Sequence, residues 1–541
     1  MVARLVKWRT SGLLRLVRQS GEVVNPAVLG SQAVARSLEV AALSWPLAAA
    51  LAALLSPWAA LIALAPAVPF ALPELRLRDR IAQRREGVER ELPFFSVVVN
   101  VLAGAGVPLH AILGDLASSE VFSGMKKEAK LVRRDVTIFG MNPNDSLERL
   151  ASGHPSARFA GFLLGYTSKV RSGGDVALYL SGESGSLLRG LEDGWARYVS
   201  RVGIIGSMMI TVFGVVPLLL MVVGVFSPSF SIVGLLLFTG LGVPLVTVAL
   251  LYMAGRMQPV REEAVRGRAG ASALIAVPGA VAGWFLGGAW MSAGMGLFLF
   301  FAAYGLSVRE GLGETRAIEE GLARFLKDIL EYKRQDYDLT RAVLTAQSGV
   351  RYNSHFDRLL GRVASQLRAG VPLDEAEVEC RSSLGKLSFL LLGQMSRSGG
   401  GTVDTVFQVS NFADRMSEMK RSAAAEMKPY TVLSYVSPLL LAFGVAFVGG
   451  VLSSFSGFVK PAMADFRASG LQVGSVPIQL TEVSDLLIVV SAASLGLIGA
   501  KVTDFTLKNT LKASANVALA LAAVAATAAL GSHSLPQLFG R

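Results

Sequence analysis

Two Arg-Ser-Gly-Gly runs, residues 171–174 and 397–400, are the segments of this 541-residue chain that most resemble chemistry. Paired glycines expose backbone N–H groups, so Ser172-Gly173-Gly174 and Ser398-Gly399-Gly400 could cradle a phosphate. A nucleotide loop would also need Gly-x-x-x-x-Gly-Lys-Ser/Thr, which occurs nowhere in the chain. A tight turn between two helices, with glycine supplying positive φ, explains the same residues at less cost. Gly173, Gly174, Gly399 and Gly400 are therefore predicted to be structural turns. Gly182-Glu183-Ser184-Gly185-Ser186 lacks the Gly-x-Ser-x-Gly order of a nucleophile elbow and has no strand before it, so it is expected to be a helix irregularity or a loop. The four histidines, His110, His154, His355 and His533, are scattered and form no pair with ligand spacing. Asp175 follows two glycines, but an intramembrane aspartyl peptidase needs Gly-x-Gly-Asp and a second carboxylate at the same membrane face. Cys380 is alone, which excludes an intrachain disulfide and a cysteine metal cluster. The expectation is a chain that is not an enzyme, with no cofactor and no metal.

The elements around these residues are apolar and long. Hydrophobic residues make up 52% of the chain and charged residues 17%, against about 25% charged in a soluble protein. Runs without Asp, Glu, Lys or Arg cover 40–73, 202–255, 269–308, 429–459, 486–500 and 513–540. A crossing takes roughly 20 residues. The run 202–255 breaks at Phe226-Ser227-Pro228-Ser229 and 269–308 breaks near Gly287-Gly288, each giving two passes. Residues 40–73 could be one tilted helix or a hairpin turning at Ser56-Pro57. The basic N-terminus (Arg4, Lys7, Arg9, Arg15, Arg18) and the stretch Arg76, Arg78, Arg80, Arg84, Arg85 should share one side, which favours the hairpin. The total is about nine spans, with the N-terminus cytoplasmic and the C-terminus outside. Only Lys460, Arg467 and Arg541 of the 52 basic residues then face outward.

The predicted order is a basic cytoplasmic N-terminus (1–39), a transmembrane hairpin (40–73), a cytoplasmic segment (74–201), a second hairpin (202–255) and a basic connector (256–268). A third hairpin (269–307), a second cytoplasmic segment (308–429) and a single span (430–459) follow. The chain closes with an external loop (460–483), a span (484–500), a cytoplasmic connector (501–512) and a last helix (513–541). Both large segments read as helical: Leu326, Ile329 and Leu330, and Leu359, Leu360, Val363 and Leu367, recur at helical spacing. The net charge of +12 lies largely beside the spans rather than on one domain, which argues against a nucleic-acid partner. No ionisable residue lies inside the spans, with Asp485 at an edge, which argues against an ion-coupled transporter. Gly203, Gly206, Gly214, Gly234, Gly240 and Gly242 suit close packing of spans three and four.

The two segments carry the same motifs in the same order. The first has Gly106-Val107-Pro108-Leu109, then Asn144-Asp145-Ser146-Leu147, then Arg171-Ser172-Gly173-Gly174. The second has Asp336-Tyr337-Asp338-Leu339, then Gly370-Val371-Pro372-Leu373, then Arg397-Ser398-Gly399-Gly400. Leu147 to Ser172 and Leu373 to Ser398 are both 25 residues. This doubled pattern resembles the F domain of type II secretion systems. Two such domains with about nine spans resemble the archaellum and archaeal pilus platform proteins.

The resemblance implies an all-α polytopic membrane protein with two cytoplasmic helical-bundle domains related by an internal repeat. It implies a multi-pass location in the cell membrane and a platform that couples a hexameric cytoplasmic secretion ATPase to pilin-like filament subunits. The lipid bilayer is a further expected partner, and a homodimer is an allowed assembly. Arg256, Arg261, Glu262, Glu263, Arg266 and Arg268, with Lys501, Asp504 and Lys508, are the expected partner-binding residues on the basic connectors, the alternative being that they only set the topology. The alternative is a permease subunit of an ATP-driven transporter, whose coupling helices are usually shorter than these segments.

Overall fold

The computed structural model describes residues 2–21, 25–54, 65–118, 121–220, 228–260, 267–399, 401–462 and 478–533. Every regular element among them is helical, as the periodicity predicts, and no strand occurs among the described residues. The chain packs as two compact units, residues 1–189 with 391–409, and residues 190–390 with 410–541.

The first unit is built on α1 (Val2–Ser20), α2 (Pro26–Leu54) and α3 (Ala67–Gly104). Four shorter helices follow, α4 (Leu109–Leu116), α5 (Met125–Thr137), α6 (Pro143–Gly153) and α7 (Ala157–Arg171). The long helix α8 (Val176–Ile210) leaves the bundle. Leu13 and Val17 of α1 pack on Leu77 of α3. Phe95 of α3 meets the rings of Phe159 and Phe162 edge-on, at 6.3 and 5.9 Å. Side-chain caps set the helix starts: Asn142 accepts from the Asn144 N–H, and Ser156 from the Phe159 N–H. Residues 391–409 join this unit through Arg397–Asp115 and Asn100–Gln408, both at 2.9 Å.

The apolar-to-polar boundary expected at 73–74 is not a break in the backbone. α3 starts at Ala67 and runs on without interruption through Pro73 and Pro93, both inside the helix. The turn expected at Ser56-Pro57 lies outside the described residues.

The second unit holds most of the helices long and apolar enough to cross a membrane. Seven occur among the described residues: Val176–Leu220, Val233–Met257, Ala269–Gly287, Ala289–Arg334, Val403–Val448, Glu482–Thr503 and Leu511–Ala528. They coincide with the third to ninth of the nine expected passes. In finer detail these are α9 (Pro228–Leu237), α10 (Val243–Met257), α11 (Ala269–Gly287), α12 (Ala289–Arg334), α17 (Lys428–Ala462), α18 (Ile478–Thr503) and α19 (Leu511–His533), with α8 leading in. The break at Gly288 stands where it is expected, with φ +79°. Ile488 and Ala492 of α18 lie in one cluster with Leu441, Ala442 and Val445 of α17 and with Ala520 and Val524 of α19.

Close packing uses Gly203 and Gly206 of the expected glycines, both against Tyr430, and others besides. A Cβ on Gly496 would lie 2.4 Å from the Ala513 backbone, and one on Gly283 would lie 2.4 Å from the Met291 carbonyl. Gly206 touches Tyr430, but Gly214, Gly234 and Gly240 have open space beside them. Two of these open glycines lie in π-turns, Thr211–Val215 and Phe238–Gly242, each followed within two residues by a proline, Pro217 or Pro244. The widened turn accommodates the carbonyl that each proline ring would otherwise strike.

Helices α12, α13 (Leu339–Gly349), α14 (Ser354–Arg368), α15 (Ser383–Arg397) and α16 (Val403–Glu426) make up the second polar segment. α14 buries Phe356, Leu359, Leu360, Val363 and Leu367 on one face. α16 gives way to α17 at Met427, since Pro429 has no N–H to continue the ladder.

Candidate functional site

The two glycine turns are helix closures. Gly173 has φ +64° and Gly399 φ +68°, the left-handed conformation that glycine adopts without strain. The Ser172 N–H donates to the Ser168 carbonyl and the Gly174 N–H to the Lys169 carbonyl, both at 3.0 Å. The Ser398 N–H donates to the Gln394 carbonyl at 3.0 Å. These amides, which a phosphate would need, are taken up in ending α7 and α15. Gly400 lies outside the described residues. Asp175 accepts from the Leu178 N–H at 2.9 Å and Thr402 from the Thr405 N–H at 3.3 Å, so each turn leads directly into a capped helix. Residues 182–186 are neither loop nor irregularity. They are helical residues of α8, with Ser184 buried on its inner face.

The first bundle is fastened by a buried ion pair. Arg84 of α3 holds Glu128 of α5 through Nε at 2.8 Å and Nη2 at 2.5 Å, and its Nη1 donates to the Gln19 carbonyl of α1 at 2.8 Å. The His154 Nε2 lies 3.7 Å from the same carboxylate. Burial opposes ionisation of Glu128, but the hydrogen bonds and charge of Arg84, with His154 beside it, outweigh it and hold its pKa at about 2. Glu91 accepts from the N–H groups of Ser123, Gly124 and Met125 at 2.7 to 2.9 Å, which seats the start of α5 on α3. A closed, ionised carboxylate with a fixed arginine is a clamp, not a proton donor. Arg84 is legible in the sequence only as one of five topology arginines.

The second segment is fastened by aromatic rings. Phe325 packs against Phe356, Phe389 and Tyr352 at 5.4, 5.7 and 6.0 Å. The Tyr352 hydroxyl donates to Asp328 at 2.6 Å, and burial with that carboxylate pushes its pKa well above the phenol range. Asn353 caps α14 and donates to the Ala317 carbonyl.

The expected docking residues separate into two groups. Arg256 and Arg268 are exposed; Arg256 lies over the Tyr252 ring at 5.8 Å. Arg261, Glu262, Glu263 and Arg266 lie outside the described residues. Lys501 and Asp504 face inward. The Lys501 Nζ, 5% exposed as a residue, donates to Gln258 at 2.9 Å. Asp504 accepts from Arg316 at 3.0 Å, Lys512 at 2.8 Å and Asn509 at 2.7 Å. Lys508 is half-buried beside them. Phe505, at φ +58°, stacks edge-on against Trp195 at 5.0 Å, and the Tyr198 hydroxyl donates to the Val502 carbonyl at 3.4 Å. The 501–512 connector thus ties α8, α12 and the ends of α10 and α18 into one polar and aromatic node. Sequence reading counts Lys501 and Asp504 as docking charges, because nothing local marks Gln258 or Arg316 as their partners. Among the described residues, no group of three or more His, Cys, Asp or Glu is placed to hold a metal.

Residues 95–224 match the family model of type II secretion system protein F. The matched region runs from the middle of α3 through the first bundle and α8 into the bilayer helix, and with the seven apolar helices it marks a multi-pass membrane protein. No curated protein and no solved structure matches the chain.

Proposed function

We propose that this chain is the membrane platform of an archaeal type IV pilus-like assembly machine. It is a scaffold without catalysis of its own, which couples a hexameric cytoplasmic secretion ATPase to insertion of pilin-like subunits. The family match over 95–224 supports the machine class. A second F domain over 308–429 is supported by matched backbone. Positive φ recurs at Gly106, Gly140 and Gly173 in one segment and at Asp336, Gly370 and Gly399 in the other. Gly106 to Gly140 and Asp336 to Gly370 are both 34 residues. Leu109 and Leu339 each follow three residues after the first such turn, and each is 1% exposed at the start of a helix. The cytoplasmic location of both segments, with the N-terminus inside and the C-terminus outside, is supported by the division of basic residues.

The observation that carries the mechanism is the continuity of helices between bundle and bilayer. α12 is a single helix of 46 residues, about 70 Å at 1.5 Å per residue, half apolar span and half bundle core. α8 likewise leaves Gly173 and runs unbroken to Ile210 at the π-turn. A push on a bundle reaches the spans through a stiff rod rather than a linker.

Gly173→Val and Gly399→Val test this, because a Cβ at either position meets no atom within 4 Å and only the backbone is strained. Both variants should insert normally, lose filament assembly and leave the partner ATPase's turnover intact. Normal assembly by both variants, or ATP hydrolysis by this chain alone, would refute the scaffold reading.

A further inference from the structure

A cleft of about 510 Å³ opens between α2 and α3 in the first unit. Its floor is apolar, with Leu29 and Ala33 from α2 and Leu72 and Leu77 from α3. Arg36, Arg76 and Arg80 line it as well, all three exposed. Arg36 and Arg76 form no ion pair among the described residues. On α3, Glu74 is engaged by Arg78 and Asp79 by Gln83 at 2.8 Å. Glu39, three residues beyond Arg36, is the one acid on α2 near the cluster.

The position of the cluster selects its ligand. Arg36 stands four residues before the apolar run 40–73 begins, and Arg76 and Arg80 stand three and seven residues after it ends. The three guanidiniums therefore sit together at the cytoplasmic ends of the expected hairpin, where lipid headgroups lie. Large apolar side chains continue outward from the same two helices, with Leu38 and Trp45 of α2 and Val68 and Leu75 of α3 each about half exposed or more. Arginines over an apolar floor at headgroup depth match a phosphodiester joined to an acyl chain, since guanidinium pairs with phosphate oxygens through two N–H groups.

We propose that this cleft binds one anionic phospholipid, with its phosphate on Arg36, Arg76 and Arg80 and its glycerol and first acyl carbons over Leu29, Leu72 and Leu77. The bound lipid would fix the angle between α2 and α3, and so the root of the helix that carries the first bundle. The proposal rests on residues 40–73 crossing the membrane as a hairpin.

The test uses the full-length protein in a neutral detergent, with native mass spectrometry as the readout. Phosphatidylglycerol, phosphatidylcholine and inorganic phosphate are the probes. Phosphatidylglycerol should be retained at least tenfold more tightly than phosphatidylcholine. Arg36→Gln and Arg76→Gln should each weaken it about fivefold, the effect of roughly one interfacial charge. Arg158→Gln, an exposed arginine of α7, should leave binding unchanged, and unaltered thermal midpoints without lipid would show that the variants fold. Equal retention of the two lipids, or no effect of either variant, would overturn the proposal. So would displacement of phosphatidylglycerol by millimolar inorganic phosphate, which would identify a free anion as the ligand. Labelling of Ser56→Cys from outside, in a Cys380→Ser background, reports on the hairpin separately. Selective lipid binding without that labelling would sink the hairpin and keep the site; labelling without selective binding would sink the site and keep the hairpin.

Discussion

The two polar segments are both helical, and each is held together by different means. In the first, α5 is tied to α3 by charge, with Arg84 and Glu128 buried between them and Glu91 capping the start of α5. In the second, the corresponding interior is a stack of Phe325, Tyr352, Phe356 and Phe389, with Asp328 answering one hydroxyl. They also differ after the middle turn. Gly140 leads into the full helix α6, whereas Gly370 leads into residues 371–382, which form no helix before Ser382 caps α15. A shared order of turns fixes where helices begin and end, and the core between them can then be filled by an ion pair or by rings. The first solution places an acid-sensitive carboxylate at its centre, and the second places rings there.

The largest expected effect lies in the aromatic core. Phe356 is fully buried, and Phe356→Ala should destabilise the second segment by about 3–5 kcal/mol. Limited proteolysis should then cut within residues 308–429 and spare the first bundle; equal sensitivity of both would erase the distinction drawn between them. Arg84→Met leaves the buried Glu128 carboxylate with only His154 beside it, at a cost of about 3–5 kcal/mol. The double variant Arg84→Met, Glu128→Leu should recover most of that loss, and hydrogen exchange in α5 would follow both. No recovery would mean that the pair does more than answer its own charges.

Acid offers a smaller, reversible version of the same break. The folded pKa of Glu128 lies below its ordinary value of 4.5, at about 2. The stabilisation it gives is therefore complete above about pH 4.5 and is lost as pH falls toward 2, by up to about 3 kcal/mol. Protection of α5 should fade over that window while α14 stays protected; simultaneous loss would contradict the contrast. The smallest effects belong to the turns. Gly173→Val and Gly399→Val should each cost about 1–2 kcal/mol, and by similar amounts, since both are strained only in φ.

Much of this was legible in the sequence for physical reasons that can be named. The apolar runs show the seven membrane-length helices because a bilayer demands unbroken hydrophobic length, and the turn glycines show positive φ because few other residues adopt it. The break at Gly288 and the buried face of α14 follow from the same two rules. What stayed hidden depends on partners distant in sequence. Arg84 looks like a topology charge until Glu128, 44 residues away, is beside it. Lys501 looks like a docking charge until Gln258 accepts a hydrogen bond from it, and Gly496 looks like any small residue until Ala513 is pressed against it. Residues 182–186 mislead in the other direction, because glycine and serine weaken a helix locally while the packing of Leu180, Ser184 and Leu191 holds it.

The central claim is that this chain works as a platform between a motor and a filament. Its most direct test is to purify the full-length protein with an affinity tag from its native membrane under mild detergent and to identify what comes with it. A secretion-type hexameric ATPase together with a pilin-like subunit is the predicted result. An ATP-binding transporter subunit in their place, with neither of those proteins recovered, would contradict the account.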